Sequence, residues 1–312
     1  MTDITILTCK AYFAPKHPTA YTDNIFLEYR LLKEALERLG ITVRRTYWDD
    51  PTYDWSQTRA VVFRTIWDYF ERFDEFWPWL EQVQHKTRLI NSMELIQWNI
   101  DKTYLFDLAE RGIPVVPSVL VKKGRHRSLK EIAAPYNWSD LVVKPTIAGG
   151  GFLTYKYPSD QLDQVQSEFD ALVDQRDMLV QGYIPSITSM GEASLMVFNG
   201  EFTHSILKRA KSGDFRVQDD FGGSVHPYDE TPEEVALAQK VMAQCSQVPA
   251  YGRVDIVWDD QNQPMVSELE IFEPELWVRH APWAADNFAR AIAQQLSIQL
   301  RKATLEFVCA IV

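Results

Sequence analysis

Cysteine and long apolar runs are scarce in this 312-residue sequence. Its three cysteines, Cys9, Cys245 and Cys309, are odd in number and widely spaced, which argues against a disulfide framework or a zinc site and favours reduced thiols. No apolar run reaches the ~18 residues of a membrane-spanning helix. The first residues, MTDITILTCK, lack the basic start and apolar stretch of a signal peptide. We therefore expect a cytoplasmic protein that has no membrane partner.

Positive charge is also in short supply. The net charge is −11, from 32 Lys and Arg against 43 Asp and Glu, and the one basic run that stands out is KKGRHR at 122–127. This balance argues against a nucleic-acid partner. Hydrophobic residues make up 46% of the sequence and charged residues 24%. Such a composition is typical of a globular protein, and a chain of this length can form two or three subdomains.

Glycine is infrequent, yet three of the 13 glycines are consecutive, in LVVKPTIAGGGFLTYKY at 141–157. A lysine inside a valine-rich strand, here Lys144, usually needs a partner. The backbone amides of Gly149, Gly150 and Gly151 can approach an anion closely because no Cβ intervenes. The stretch therefore indicates a phosphate site, although it matches neither GxxxxGK[ST] nor GxGxxG. A glycine-rich hairpin without a ligand is the alternative.

The first hundred residues alternate strand and helix patterns. Strands are predicted at ITILTC, TVRRTYW, AVVFRTI and RLIN. One helix is predicted to start at an Asp23 cap and to end at Gly40, a second covers DEFWPWLEQVQ, and a third pattern runs from Ser92 to Gly112. Strands separated by helices indicate a parallel sheet.

Later segments are typical of antiparallel pairing. Asn199-Gly200 predicts a hairpin turn within ASLMVFNGEFTHSILKR, and Thr231 with Glu234 predicts a capping box. Two strands, GRVDIVW and PMVSELEIF, then precede a long C-terminal helix. We expect an α/β fold with an α+β C-terminal part, in three lobes: an N-terminal lobe at 1–95, a lid lobe at 96–183 and a C-terminal lobe at 184–312.

The last two strands carry acidic residues at alternate positions. Because side chains alternate between the faces of a strand, Asp255 shares a face with Arg253, and Glu268 shares a face with Glu270. If the two strands pair, three carboxylates converge and need a cation, and hard oxygen ligands suit Mg²⁺. A solvated outer face of an antiparallel sheet is the alternative.

The run KRAKSGDFRVQDDFGGS at 208–224 combines cations with glycines. Arg209, Lys211 and Arg216 there suit a polyphosphate or a substrate carboxylate, although the loop could equally be solvated.

Residues that follow the strand AVVF are expected at a substrate site, because ligands of such sheets bind beyond the carboxyl ends of the strands. These residues are Arg64, Trp67, Asp68 and Tyr69. Arg64 either holds a substrate carboxylate or pairs with Asp68.

The order of these features resembles the ATP-grasp superfamily of ATP-dependent carboxylate ligases, which includes glutathione synthetase, D-alanine:D-alanine ligase and the ligases that add glutamate to ribosomal protein S6. The resemblance rests on NIDK, VVKP with its glycine loop, LVQGYI, the GDFR…GG loop, GRVDIV and the E-x-E strand, and it covers nearly the whole chain. The phrases RTIWDY, WNIDKTYLFDLAERGIPVVPS and ELEIFEPELW are similar to the ligases that close the D-cycloserine ring from O-ureidoserine.

The resemblance implies a role for each matching residue. Lys102 and Lys144 contact the phosphates of ATP, and the loop from Gly149 to Gly151 folds over them. Gln181 and Ile184 hold adenine through their backbones, while Glu192 binds the ribose. Arg216 and Arg253 stabilise the transferred phosphoryl group. Asp255, Glu268 and Glu270 bind Mg²⁺, for which Mn²⁺ can substitute. Arg64, Asp68, Gly222 and Gly223 are the candidates for contact with a small-molecule substrate, and a homo-oligomer is left open beside a monomer.

The sequence departs from the family at three places. Glu270 stands where the family usually has asparagine, Gln181 replaces the usual glutamate, and the glycine loop has few small polar residues. The resemblance implies a ligase that forms an acyl phosphate and then an amide, with intramolecular cyclisation as one version. A nucleotide-binding protein without ligase activity and a phosphotransferase that stops at the phosphorylated product are the alternatives.

Overall fold

The computed structural model describes residues 1–217 and 222–296 of the chain. Cys309 and the end of the predicted C-terminal helix lie outside these residues. The strands are β1 Thr2–Thr8, β2 Val43–Tyr47, β3 Thr58–Thr65, β4 Arg88–Ile90, β5 Ser118–Val121, β6 Leu141–Pro145, β7 Tyr155–Tyr157, β8 Met178–Gly182, β9 Glu192–Phe198, β10 Glu201–Arg209, β11 Ser224–Pro227, β12 Tyr251–Trp258 and β13 Pro264–Glu270. The helices are α1 Lys10–Phe13, α2 Ala20–Arg38, α3 Phe73–Val83, α4 Met93–Asn99, α5 Tyr104–Glu110, α6 Leu129–Ala133, α7 Leu162–Val173, α8 Ser186–Ser189, α9 Pro232–Met242 and α10 Ala284–Gln295.

The chain divides into two compact units. The first contains Met1–Ile66, Trp77–Ile90 and the part that begins at Trp277. Its sheet is parallel, in the order β2-β1-β3-β4, as predicted from the alternating pattern. β1 and β3 are almost entirely buried, because strands of a parallel sheet are covered on both faces.

Helix α2 begins earlier than the sequence predicts. Its N-cap is Thr19, which forms a capping box with Thr22, so Asp23 lies in the first turn instead of capping the helix. A hydroxyl that accepts from the third helical amide satisfies a free donor, and Asp23 still benefits from the positive end of the helix dipole. The buried Glu28 carboxylate on α2 accepts from the backbone N–H groups of Val278 and Arg279 at 3.2 and 2.9 Å, which fixes the segment before α10.

The second unit contains Trp67–Phe76 and Asn91–Leu276. Its two sheets are antiparallel, in the orders β5-β8-β6-β7 and β11-β10-β9-β12-β13. The hairpin turn at Asn199-Gly200, with φ angles of 51° and 84°, and the Thr231–Glu234 capping box are both confirmed. The expected mixed architecture is therefore present, whereas the three predicted domain boundaries stay a prediction.

Helices α4 and α5 are separate, although the sequence predicts one helical pattern there. The Asp101 carboxylate accepts the N–H of Thr103 at 2.9 Å, and the N–H of Lys102 donates to the Thr146 carbonyl at 2.8 Å. Asp side chains that bond to nearby amides compete with helical hydrogen bonds in this way. Lys102 therefore lies in a turn between two helices and not within a helix.

The outer edge of β13 is covered by polar groups from this α4–α5 region. The Asn99 side chain donates to the Leu269 carbonyl at 2.8 Å and accepts from the Ile271 N–H at 2.9 Å, and the Leu269 N–H donates to the Tyr104 hydroxyl at 2.9 Å. The N–H of Val116 donates to the Val266 carbonyl further along the same edge at 3.0 Å. An edge strand needs such partners when it is buried.

No helix among the described residues is both long and apolar enough to cross a membrane.

We expect Asn99→Ala to lower the free energy of unfolding by roughly 2–4 kcal/mol, since a buried carbonyl and a buried N–H each lose their partner. Urea denaturation followed by tryptophan fluorescence measures this. Asn24→Ala is the control, because Asn24 is a half-buried residue of α2. It should change the free energy of unfolding by under ~0.5 kcal/mol. Equal stability of both variants would show that Asn99 does not support the edge of β13.

Candidate active site

Three carboxylates meet on one face of the five-stranded sheet. Asp255 on β12 lies opposite Glu268 on β13, and Arg253 lies opposite Glu270. One oxygen from each of Asp255, Glu268 and Glu270 lies within 4.8 Å of the others. The predicted convergence of these acids is confirmed.

A β-bulge makes this convergence possible. Ile256 pairs with Val266, but the next residue of β12, Asp255, pairs with Glu268, so Ser267 is an extra residue in β13. Without the bulge, Glu268 would lie opposite Val254, on the other face of the sheet, because side chains alternate strictly along a strand. The extra residue is itself used, since the Ser267 hydroxyl donates to the Glu192 carboxylate at 3.1 Å.

Asp255 is the most buried of the three acids, at 1% exposure. Its carboxylate accepts from the Ser194 hydroxyl at 2.5 Å and from Arg253 Nη2 at 2.8 Å, and Lys208 Nζ lies 3.3 Å away. Burial alone would raise the pKa of Asp255, but attraction to Arg253 and Lys208 outweighs it and lowers the pKa. Asp255 therefore stays ionised.

Arg253 bridges two of the acids. Its Nη2 atom lies 2.8 Å from Asp255 and 2.7 Å from Glu270, and its Nη1 atom donates to the Glu275 carbonyl at 3.2 Å. Despite this bridge, burial and repulsion from Glu268 and Asp255 raise the pKa of Glu270 to about 7. A guanidinium thus lies between carboxylates that could otherwise hold a metal ion.

Lys102 connects the glycine-loop region to the acids. Its Nζ atom lies 2.7 Å from Glu268 Oε1 and donates to the Ala148 carbonyl at 2.5 Å. Burial would raise the pKa of Glu268, but the charges of Lys102 and Lys144 lower it. Burial also opposes the charged form of Lys102, yet attraction to Glu268 raises its pKa, so both groups are charged.

Lys144 differs from the other cations of the site in its polar contacts. It lies half-buried on β6, and within residues 1–217 and 222–296 its ammonium has neither an ion pair nor a hydrogen bond. Burial lowers the pKa of Lys144, and repulsion from Lys102 adds to this, against attraction to Glu268. A half-buried ammonium that the protein leaves unpaired is suited to a ligand anion.

The glycine loop follows β6. Gly150 and Gly151 have φ angles of 54° and 71°, which favour glycine, and the Phe152 N–H donates to the Gly149 carbonyl at 3.0 Å. Gly149 has no such angle, but a Cβ there would lie 3.0 Å from the Phe70 ring. The loop thus needs its glycines for two different reasons.

Glu192 and Lys208 form a buried ion pair beside Asp255, with 2.5 Å between Nζ and Oε1. The predicted contact of Glu192 with ribose stays a prediction, and in this structure its carboxylate binds Lys208 and Ser267. Lys208 is a site residue that was not predicted from the sequence, because it stands beside two other cations, Arg209 and Lys211, and no local pattern separates it from them. The alternation of β10 could have indicated its face, but not its register.

Gln181 lies inside β8, between β5 and β6, and its side chain donates to the Ser118 hydroxyl at 2.7 Å. Ile184 follows the strand, and its carbonyl accepts from the Ile187 N–H at 3.2 Å. Their role toward adenine stays a prediction.

Arg216 lies next to residues 218–221, which are outside the described range. Its guanidinium pairs with Asp214 at 2.8 Å, and this hydrogen bond lowers the pKa of Asp214 to about 2. Gly222 has a φ of 80° and lies close to the Lys211 side chain, and Gly223 follows it. The predicted roles of Arg216, Gly222 and Gly223 stay predictions.

The residues predicted at the substrate site lie in both units. Arg64 is buried on β3, with its guanidinium 5.4 Å from the Phe288 ring. Asp68 accepts from Arg72 at 3.1 Å. Tyr69 and Glu273 are both buried. Burial and the charge of Glu270 raise the pKa of Glu273 well above its usual value. Glu273 was not foreseen, because nothing in the sequence separates it from the neighbouring Glu275.

The donor set fits a hard divalent cation: three carboxylates on rigid strands, with oxygens close enough to share one ion. Acids and cations in this cluster are equal in number. The acids are Asp255, Glu268, Glu270 and Glu192, and the cations are Lys102, Lys144, Lys208 and Arg253. The arrangement can therefore take up a polyanion together with its metal ions without a large excess charge.

The chain is similar to known proteins over most of its length. The sequence profile described as D-cycloserine synthetase DcsG, N-terminal domain, matches residues 4–91, and the RimK-like ATP-grasp domain matches residues 107–274. The cycloserine biosynthesis protein DcsG of Streptomyces lavendulae is 34% identical over 276 residues, which cover 85% of this chain and 92% of that protein.

Solved structures extend the likeness to the fold. The crystal structure of D-cycloserine synthetase DcsG has a TM-score of 0.83 at 31% identity and covers 94% of this chain and 99% of its own. The D-alanine–D-alanine ligase of Bacillus anthracis has a TM-score of 0.66 at 16% identity, with 95% and 98% covered. A RimK domain ATP-grasp protein of Sphaerobacter thermophilus has a TM-score of 0.66 at 15% identity, with 93% and 99% covered.

These relationships confirm the predicted ATP-grasp fold and the predicted enzyme class, an ATP-dependent ligase that forms carbon–nitrogen bonds. ATP and divalent metal ions are the cofactors of such ligases. The chain belongs to the RimK-like ATP-grasp family.

Proposed function

We propose that this protein activates the carboxylate of a small amino-acid-like substrate as an acyl phosphate and joins it to a nitrogen nucleophile. The observation that carries this proposal is the juxtaposition of two lysines, Lys102 and Lys144, with the acid cluster at the glycine loop. Lys102 bonds both to Glu268 and to the loop carbonyl of Ala148, so the acids and the loop are fixed to one another.

Nucleotide binding follows from the charges and from the resemblance. Lys144, which has no described protein partner, contacts the polyphosphate together with Lys102, and the amides of Gly149 to Gly151 cover it. Gln181 and Ile184 hold adenine through the backbone. Glu192 binds the ribose after exchanging part of its pairing with Lys208.

Asp255, Glu268 and Glu270 would hold Mg²⁺, with Mn²⁺ as a substitute, because carboxylate oxygens are the ligands that these ions prefer. The metal supplies charge neutralisation at the phosphoryl oxygens. For it to bind, the guanidinium of Arg253 has to leave at least one of its two carboxylates, and it is then free to bind the phosphoryl group.

The reaction balances in two steps. A carboxylate oxygen of the substrate attacks the γ-phosphorus of ATP and ADP leaves, which gives an acyl phosphate. A nitrogen then attacks the acyl carbon, phosphate leaves with the bond pair, and the nitrogen loses a proton. Lys144, Arg216 and Arg253 neutralise the transferred group, and the glycine loop excludes water, which would otherwise hydrolyse the intermediate.

O-ureidoserine is the proposed substrate, with ring closure inside one molecule. Its oxygen-bound nitrogen attacks the acyl carbon, and water removes the carbamoyl group from that nitrogen as carbon dioxide and ammonia. Support comes from the 34% identity to the cycloserine biosynthesis protein DcsG over 85% of this chain. Arg64, Asp68, Gly222 and Gly223 are proposed to face this substrate, in a cytoplasmic enzyme. A phosphotransferase is the second candidate function. The two functions are distinguished by their products, since a phosphotransferase would accumulate a phosphorylated substrate and form no ring.

Lys144→Ala should reduce ADP release with O-ureidoserine by roughly two orders of magnitude or more, because a charged contact made at the transferring phosphoryl group is lost. ADP release and product formation are followed together by chromatography. Lys33→Ala, an exposed lysine on α2 paired with Glu37, is the matched control and should keep wild-type rates. Wild-type turnover in a folded Lys144→Ala variant would refute the role of Lys144, and absence of ring product from the wild type would refute the substrate.

Glu268→Gln should weaken Mn²⁺ binding at least ~10-fold, since a ligand loses its charge. Calorimetric titration of Mn²⁺ in the presence of ADP measures this directly, and the metal dependence of turnover should shift in parallel. Glu201→Gln, at the exposed first residue of β10, removes the same charge elsewhere and should leave the titration unchanged. If the Glu268→Gln titration matches the wild type, the metal assignment is wrong.

A further inference from the structure

The glycine loop packs against a short segment of the second unit, residues 67–70. Two rings of this segment, Tyr69 and Phe70, lie edge to face with 5.4 Å between centroids. Tyr69 is buried and Phe70 is half-buried. The segment was expected at a substrate site, but its contacts with the loop were not foreseen.

Phe70 fills the space that a side chain at residue 149 would need. A Cβ on Gly149 would lie 3.0 and 3.3 Å from two atoms of the Phe70 ring. The backbone angle of Gly149 is one that other residues adopt, so it is the closeness of the Phe70 ring that disfavours a side chain there. The loop backbone therefore rests directly on the ring.

Phe152 holds the other end of the same turn. Its ring centroid lies 5.2 Å from that of Phe70. On its other partner, Arg176 in the turn before β8, the guanidinium lies 5.4 Å from the Phe152 ring. The Gly149 carbonyl accepts from the Phe152 N–H at 3.0 Å. Phe70 thus contacts both the first glycine and the residue that closes the turn.

The segment that carries Phe70 is itself held firmly. The Trp67 indole N–H donates to the Glu273 carbonyl at 3.1 Å, and the Tyr69 ring lies 5.3 Å from Phe272. Both partners follow β13, the strand of Glu268 and Glu270. These contacts hold residues 67–70, and with them the glycine loop, in a fixed position relative to β13, the strand of the acid cluster.

We infer that Phe70 is a positioning residue for the glycine loop: its ring sets how closely the amides of Gly149–Gly151 approach the site of the transferred phosphoryl group. The consequence for nucleotide binding rests on the proposed function. Without the ring, the loop samples more conformations and has to be ordered when the nucleotide binds, which weakens contacts to the terminal phosphate most. Adenosine contacts lie elsewhere and are affected less.

Phe70→Ala should weaken binding of the Mg²⁺ complex of a non-hydrolysable ATP analogue by ~10-fold and that of ADP by under ~3-fold. Calorimetric titration of both nucleotides provides the two affinities. Phe70→Leu keeps most of the apolar volume and should stay within ~3-fold of the wild type for both. Phe13→Ala, which removes a partly exposed ring on α1, is the control for loss of an aromatic residue.

A double variant tests the contact itself. Gly149→Ala should weaken the analogue at least ~10-fold because its new methyl group meets the ring, and Phe70→Ala in the same chain should recover part of that loss by making room. Recovery of affinity by combining two damaging substitutions is not expected from general destabilisation. Additive losses, or a harmless Gly149→Ala, would overturn the inference.

Amide hydrogen exchange of residues 148–153 can be measured in the ligand-free protein, so it does not depend on nucleotide binding. It also does not require that the Gly149→Ala variant folds. Exchange there should be faster in Phe70→Ala than in the wild type and in Phe70→Leu. Unchanged exchange would overturn the inference. If the wild type bound no nucleotide, the proposed function would fail, while the exchange result would still decide the role of Phe70.

Discussion

Mutual neutralisation of buried charges on one face of an antiparallel sheet is the constraint on which the rest of this structure depends. Each ion of the cluster would cost several kcal/mol to bury alone. The strands supply four acids and three cations, and Lys102 in the turn between α4 and α5 supplies the fourth cation. Arg253 and Lys102 form ion pairs with the carboxylates. Lys144 forms none among the described residues and is attracted to Glu268 only through the longer-range electrostatic interaction. The cluster is therefore stable as it stands and still has one cation ready for an anionic ligand.

The backbone around this cluster is fixed by groups that are remote in sequence. Asn99 and Tyr104 bond to the outer edge of β13, so Glu268 and Glu270 lie on a strand held on both sides. Lys102 lies between these two residues, in the turn that Asp101 stabilises. The short stretch from 99 to 104 thus supports the strand of the acids and supplies one of their counter-ions. Rigid support of this kind is what a positioned phosphoryl-transfer site requires.

Much of the site could be predicted from the sequence because its signals are local. The alternation of Arg253 with Asp255, and of Glu268 with Glu270, indicated their faces, and the lysine before a triple glycine indicated an anion site. The family resemblance then ordered these parts, and the profile match over 107–274 confirms it. Lys208 and Glu273 were not predicted, because each joins the site only through the fold. Lys208 opens the run at 208–224 but pairs with Glu192 and Asp255 on other strands, and Glu273 is coupled to Glu270.

The sequence by itself determined which residues can form strands, where the tight turns lie and which side chains carry charge, because these depend on neighbours within a few positions. Only the tertiary structure decided the register. Ser267 is an extra residue in β13, and Thr203 is an extra residue in β10, where Phe202 pairs with Val197 but His204 pairs with Met196. Each bulge moves the following side chains to the opposite face, which sets Glu268 against Asp255 and Lys208 against Glu192. Both shifts depend on contacts between strands that are remote in sequence, so no local pattern records them.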